Sequence, residues 1–179
     1  MRKVLASLAI LVALCSVSAP ASAEVNLRAG VDGAFILPVG NWGDITGMGF
    51  GALGKFEYAV MPELTTTFRI GYLFHLKKND FSTAELPIMF GAKYFFLGDY
   101  KVGGLYGALE LGLTRLTATA SFMGTSISSS SFKFGTTIGA GYEWSGFDFR
   151  AQLYGPSLGD FADFMGVLVT VGYTWDFTL

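Results

Sequence analysis

Strict alternation of apolar and polar side chains, in segments of about ten residues, constrains this chain more than any other feature. The alternation recurs eight times after residue 24. In the first segment Val25, Leu27, Ala29, Val31, Phe35 and Leu37 share one face, and Asn26, Arg28 and Asp32 share the other. The third sets Leu64, Phe68, Ile70, Tyr72, Phe74 and Leu76 opposite Thr65, Thr67, Arg69 and His75. The fourth sets Leu86, Ile88, Phe90, Ala92, Tyr94 and Phe96 opposite Glu85, Gly91 and Lys93. The fifth sets Leu105, Leu109, Leu111 and Leu113 opposite Tyr106, Glu110 and Thr114. The last sets Met165, Val167, Val169, Val171, Tyr173, Trp175 and Phe177 opposite Thr170, Thr174 and Asp176. The second, sixth and seventh repeat the pattern, with Lys55 and Glu57, Lys133 and Glu143, and Asp148 and Arg150 on their polar faces. A side-chain period of two belongs to β-strands, so the pattern predicts eight of them.

Which face turns outward decides the fold. A soluble barrel of the lipocalin type would bury the apolar face and expose glycines, threonines and a few charges, a poor solvated surface. The mean hydropathy of +0.47 favours the opposite arrangement, with the apolar face in lipid. No run of 18 apolar residues follows Ala23, so no segment spans a membrane as a helix. In lipid the backbone must satisfy its own hydrogen bonds, which leaves a closed barrel. The expected fold is therefore all-β, an eight-stranded antiparallel up-and-down transmembrane β-barrel.

The connections alternate in length. Met61-Pro62-Glu63, residues 98–101 and Ser145-Gly146 read as tight turns. Residues 38–47, 77–83, 119–130 and 155–163 read as longer loops, and the Ser/Thr-rich stretch 125–131 falls in one of them. Four strands end alike at the short-turn side, as in Lys55-Phe56-Glu57-Tyr58, Tyr94-Phe95-Phe96, Tyr142-Glu143-Trp144 and Tyr173-Thr174-Trp175. Outward aromatics at one level predict an interfacial girdle.

Residues 1–23 read as a cleavable signal peptide. Arg2 and Lys3 precede an apolar run from Val4 to Leu14, and Ala21-Ser22-Ala23 is a small-x-small cleavage site. A lipoprotein leader modified at Cys15 is the rival reading, but Leu14 stands where such processing wants a small residue. Residues 24–179 form one barrel domain with no cysteine, hence no disulfide. Its 10 basic and 14 acidic residues give a net charge near −4, which excludes a basic nucleic-acid footprint.

The segments Leu86-Pro87-Ile88-Met89-Phe90-Gly91-Ala92-Lys93-Tyr94-Phe95-Phe96, Gly104-Leu105-Tyr106-Gly107-Ala108-Leu109-Glu110-Leu111-Gly112 and the C-terminal strand resemble the small outer-membrane β-barrel superfamily, the OmpX-, OmpW- and OmpA-barrel-like proteins. The resemblance implies export through the periplasm and a cell-outer-membrane location. It implies partners in outer-membrane lipid, lipopolysaccharide and the barrel-assembly machinery. Thr170, Gly172, Trp175 and Phe177 match the superfamily's C-terminal assembly signal, although Leu179 stands where many members end on Phe.

Alternation places Arg28, Asp32, Lys55, Glu57, Arg69, Glu85, Lys93, Glu110, Lys133, Glu143, Asp148, Arg150 and Asp176 on the inner wall. In a barrel this narrow, side chains roughly fill the interior, so the charges should pair and plug it. A narrow polar pore and a catalytic carboxylate pair are the other readings of the same set. His75, the one histidine, reads as a rim or lumen residue bonding a neighbour. The His-x-Ser spacing of lipid A deacylases is absent around it, so no enzyme is expected. One histidine and no mature cysteine speak against a transition-metal site, and no cofactor is expected. Trp42, Phe122 and Phe161 are candidate loop contacts for an unidentified extracellular ligand, and the equal alternative is that they fold over the barrel mouth. Asp44, Asp160 and Asp163 are candidate bridges to lipopolysaccharide through divalent cations. The expected role is structural and surface-binding. The rival roles are a narrow porin, an OmpW-like conduit hinted at by inward Leu53, Leu73 and Leu168, and a lipid A-modifying enzyme.

Overall fold

The structure is a computed structural model, and it describes residues 26–78, 81–122, 125–160 and 163–178. The expected signal peptide lies outside the described residues.

Eight strands close into one barrel. They are β1 (Asn26–Val39), β2 (Gly49–Met61), β3 (Leu64–His75), β4 (Phe81–Phe95), β5 (Gly103–Phe122), β6 (Thr125–Trp144), β7 (Phe147–Gly155) and β8 (Met165–Thr178). Each pairs antiparallel with its sequence neighbours, and β1 closes on β8 from Asn26↔Thr178 to Val39↔Met165. One short helix, α1 (Gly40–Ile45), follows β1. The tight turn Ser145-Gly146 has both residues at positive φ, the geometry that suits the twist of a two-residue hairpin.

The barrel is apolar outside. Leu105, Leu109, Leu111 and Leu113 on β5, and Phe132, Phe134 and Ile138 on β6, all face outward and are exposed. Tyr58, Tyr94, Trp144, Tyr173 and Trp175 gather at the short-turn end, where the girdle was expected. The buried side chains are predominantly polar or charged. This is the inverse of a soluble fold, and it follows from the parity of each strand.

One expected loop is a strand. The stretch 119–130 is expected as a long connection and the Ser/Thr-rich 125–131 as loop, yet β5 and β6 pair without interruption to Phe122↔Thr125. Backbone pairing needs no apolar side chains, and hydroxyls join across the ladder at Thr117–Ser130 (2.9 Å) and Thr119–Ser128 (3.0 Å). β4 follows β5 up to Phe81↔Ala120. β7 follows β6 only as far as Gly155↔Thr136. Three strands therefore project beyond the loop end of the barrel, and among the described residues no strand pairs with the outer edge of β6 there.

Candidate functional site: the sealed interior and the projecting sheet

The interior is layered. Its lower part, toward the short turns, holds the cations Arg28, Lys55, Arg69, Lys93 and Arg150 and the carboxylates Asp32, Glu57, Glu110, Glu143 and Asp148, all buried. The two signs interlock. Lys93 Nζ donates to Glu57 (2.8 Å) and Glu143 (2.9 Å), and lies 3.5 Å from Asp148. Arg28 donates to Glu57 (3.2 Å), to Glu143 and to Asp176 (2.6 Å). Arg69 and Arg150 share Glu110, at 3.0 and 2.9 Å, and Glu110 also accepts from Thr67 and Thr137. Asp32 is held by ion pairs to Lys55 (2.7 Å) and Arg69 (3.3 Å). Asp148 is the hub. It takes Lys55 (2.9 Å), Arg150 (3.3 Å), Lys93 and the Tyr106 hydroxyl.

Glycines on the inner face make room for these long side chains. A Cβ at Gly141 would run into the Tyr106 ring, and one at Gly172 into Asp32. Gly172 thus has a packing role besides its place in the expected assembly signal. Of that set, Thr170 is buried inside the barrel while Trp175 and Phe177 face outward.

Above the charges lies an apolar layer of Ala34, Ile36, Leu53, Leu73, Met89 and Leu168. The residual cavity there is ≈ 10 Å³. One water needs about that much space. His75, Glu85 and Tyr154 form the next layer. His75 Nε2 faces Glu85 at 2.8 Å, its Nδ1 faces the Gly47 carbonyl oxygen at 3.0 Å, and the Tyr154 hydroxyl donates to Glu85 at 2.6 Å. Both ring nitrogens of His75 are thus occupied. No serine or threonine hydroxyl bonds it among the described residues.

Trp42 caps the stack, and of its two expected placements it takes the fold over the barrel mouth. Only 1% of it is accessible, so it does not stand out as an exposed loop contact. α1 swings it over the mouth, where its ring lies 5.2 Å from His75 and 6.4 Å from Tyr154. Its backbone N–H donates to the Asp163 carbonyl oxygen at 3.0 Å, and Asn41 donates to the Asp163 carboxylate at 2.7 Å. Burying an indole recovers far more than leaving it in water.

Two members of the expected inner network also sit elsewhere. Lys133 lies at the rim with its side chain 43% exposed, 3.5 Å from Asp160. β6 rises past the barrel wall at that height, so the inward face of Lys133 opens on solvent. Asp176 bonds Arg28 from the short-turn mouth, with its side chain 67% exposed. The Phe122 and Phe161 side chains lie outside the described residues. Asp160 also accepts from Ser157 (2.9 Å), and the described residues form no carboxylate cluster that suits a metal ion.

Sequence reasoning missed Arg115. It follows Leu113 on the outward parity of β5 and is exposed. The alternation itself carried the signal, since an odd-numbered residue of β5 cannot face the lumen.

No family model matches the chain, and no curated protein matches it. Solved structures do. Ail, the attachment invasion locus protein of Yersinia pestis, aligns with a TM-score of 0.57 at 14% identity, over 85% of this chain and 98% of Ail. The N-terminal β-barrel domain of Pseudomonas aeruginosa OprF aligns with a TM-score of 0.58 at 14% identity, over 83% and 97%. Neisserial surface protein A aligns with a TM-score of 0.50 at 15% identity, over 87% and 98%. The fold is that of the small outer-membrane β-barrels. Within that fold the long β5–β6 hairpin and the closed interior are the features that bear on what this barrel does.

Proposed function

We propose that the chain is an outer-membrane barrel with a sealed lumen, that its loop end faces out of the cell, and that it binds a protein partner through the projecting sheet. The open edge of β6 carries this reading. From Ile127 to Lys133 the strand pairs with β5 on one side and with no strand on the other among the described residues. An unpaired edge presents N–H and C=O groups in register, and an extended segment of a partner can add to them as another strand. The edge stops at Phe134, whose carbonyl oxygen accepts the Leu158 N–H at 2.6 Å.

The chemistry of the sheet favours a polypeptide over a polyanion. The structural neighbour Ail has been crystallised with the heparin analogue sucrose octasulfate. Here the extension carries hydroxyls and the apolar Phe81 and Ile127, with only Arg115 and Lys133 as cations. Removing residues 118–129, with a two-residue turn in their place, should abolish attachment of displaying cells to an immobilised panel of extracellular proteins. Heat-dependent gel mobility should still report a folded barrel. Unchanged attachment by the shortened barrel would move the interface elsewhere.

A conduit is a poorer reading. The apolar layer expected of one exists, but it is filled, roofed by Trp42 and floored by charge pairs. The expected result in a planar bilayer is a folded protein without steady single-channel openings. Steady openings would mean that the ion pairs part readily, and transport would replace binding as the leading function.

A further inference from the structure

Arg115 has no counterpart on the outer wall. Every other charged residue within the described strands lies on the inward parity that buries Arg28, Lys55, Arg69, Lys93, Glu110 and Arg150, with Lys133 and Asp176 on that parity at the rim and the mouth. Arg115 alone points out. It follows the leucine ladder Leu109, Leu111 and Leu113 and precedes Thr117 and Thr119 on the same face. Its cross-strand neighbours are Leu86 on β4 and Phe132 on β6. One row further out, Thr117 and Ser130 add two hydroxyls, bonded to each other at 2.9 Å.

The position is thus a boundary with apolar residues below it and hydroxyls above. A guanidinium carries five N–H donors in a rigid fork that suits phosphate oxygens. None of these donors has a partner within the described part of the chain, while every buried cation of the interior has at least two. On a lipid-facing wall an arginine costs about 2–4 kcal/mol at mid-depth and about 0–1 kcal/mol near the interface. The residue is tolerated where its head reaches the headgroup layer.

Resting on the membrane placement proposed above, we infer that Arg115 is a binding site for the phosphate of an outer-leaflet lipid. The guanidinium takes the phosphate, the Thr117 and Ser130 hydroxyls flank it, and Leu86, Leu113 and Phe132 lie against the acyl chains. The site commits the barrel to phosphorylated lipid rather than to free anions, because the apolar rows below it add contact only for a molecule with tails.

The test uses the whole mature barrel, folded in neutral detergent and titrated with diphosphoryl lipid A under native mass spectrometry. Three arms run beside it: dephosphorylated lipid A, inorganic phosphate, and the Arg115→Gln barrel. The expected result is retention of the diphosphoryl lipid by the wild type, weakened about fivefold in Arg115→Gln and in the dephosphorylated arm. Inorganic phosphate should not displace the lipid at equal concentration. Lys101→Gln, at the opposite end, should bind as the wild type does. Equal retention by wild type and Arg115→Gln, or no preference for the phosphorylated lipid, would overturn the site. A protein that does not fold into detergent or lipid at all would instead overturn the membrane placement.

Discussion

Asp148→Leu should destabilise the barrel by about 3–5 kcal/mol. The substitution removes the one carboxylate that Lys55, Lys93, Arg150 and Tyr106 share. These partners are buried. The carboxylates left to them, Asp32, Glu57, Glu110 and Glu143, are each also engaged by Arg28 or Arg69. The lower layer would keep five buried cations against four carboxylates, and the uncompensated positive charge cannot recover its lost hydration, which is why breaking a pair costs more than forming it gains. Asp176→Asn is the internal comparison. Asp176 also bonds an arginine, Arg28, at 2.6 Å, but two thirds of its side chain is in solvent. Its loss should cost at most about 1 kcal/mol. Equilibrium unfolding in lipid vesicles, followed by tryptophan emission, checks both. Similar small losses for the two variants would mean that water reaches the inner network and that the lumen is not sealed.

Leu109→Arg should cost about 2–4 kcal/mol in the same assay. Leu109 faces outward with half of its surface exposed, beside Ala92 and Ile138. It lies six residues from Arg115, about 20 Å along the strand. That distance places it near mid-depth, where a guanidinium cannot reach the headgroups without dragging water after it. Gly112→Arg should fail for a different reason. Gly112 faces the lumen, and a Cβ there would run into the Ile88 carbonyl oxygen and the Met89 Cα. The loss should therefore appear already in Gly112→Ala and be indifferent to charge. A Leu109→Arg barrel as stable as the wild type would reverse the inside-out assignment of β5.

The two substitutions probe what the sequence made legible. A period of two fixes which face each residue shares with its neighbours, and eight such segments with alternating short and long connections leave little but an up-and-down barrel. Arg28, Lys55, Arg69, Lys93 and Arg150 are therefore readable as lumen cations, and Leu109 as an outward-facing residue, from the alternation alone. The even strand count and the aromatic repeats at Tyr58, Tyr94, Trp144 and Trp175 fixed which end carries the girdle.

Height along the barrel was not legible in the same way, because parity says nothing of where one strand stops relative to the next. The stagger of neighbouring strands decides that. β6 outruns β7 by eleven residues at the loop end, from Thr125 to Gly135. That difference makes Lys133 a rim residue, turns a Ser/Thr-rich stretch into a strand and leaves the edge open. The choice of partners was likewise tertiary. Asp148 meets Lys55 and Lys93 from strands far away in sequence, across the lumen rather than along a ladder. Trp42 shows the same limit most sharply. Its loop sequence allows an exposed contact and a fold over the mouth alike, and only the rings of His75 and Tyr154 beneath it decide for burial.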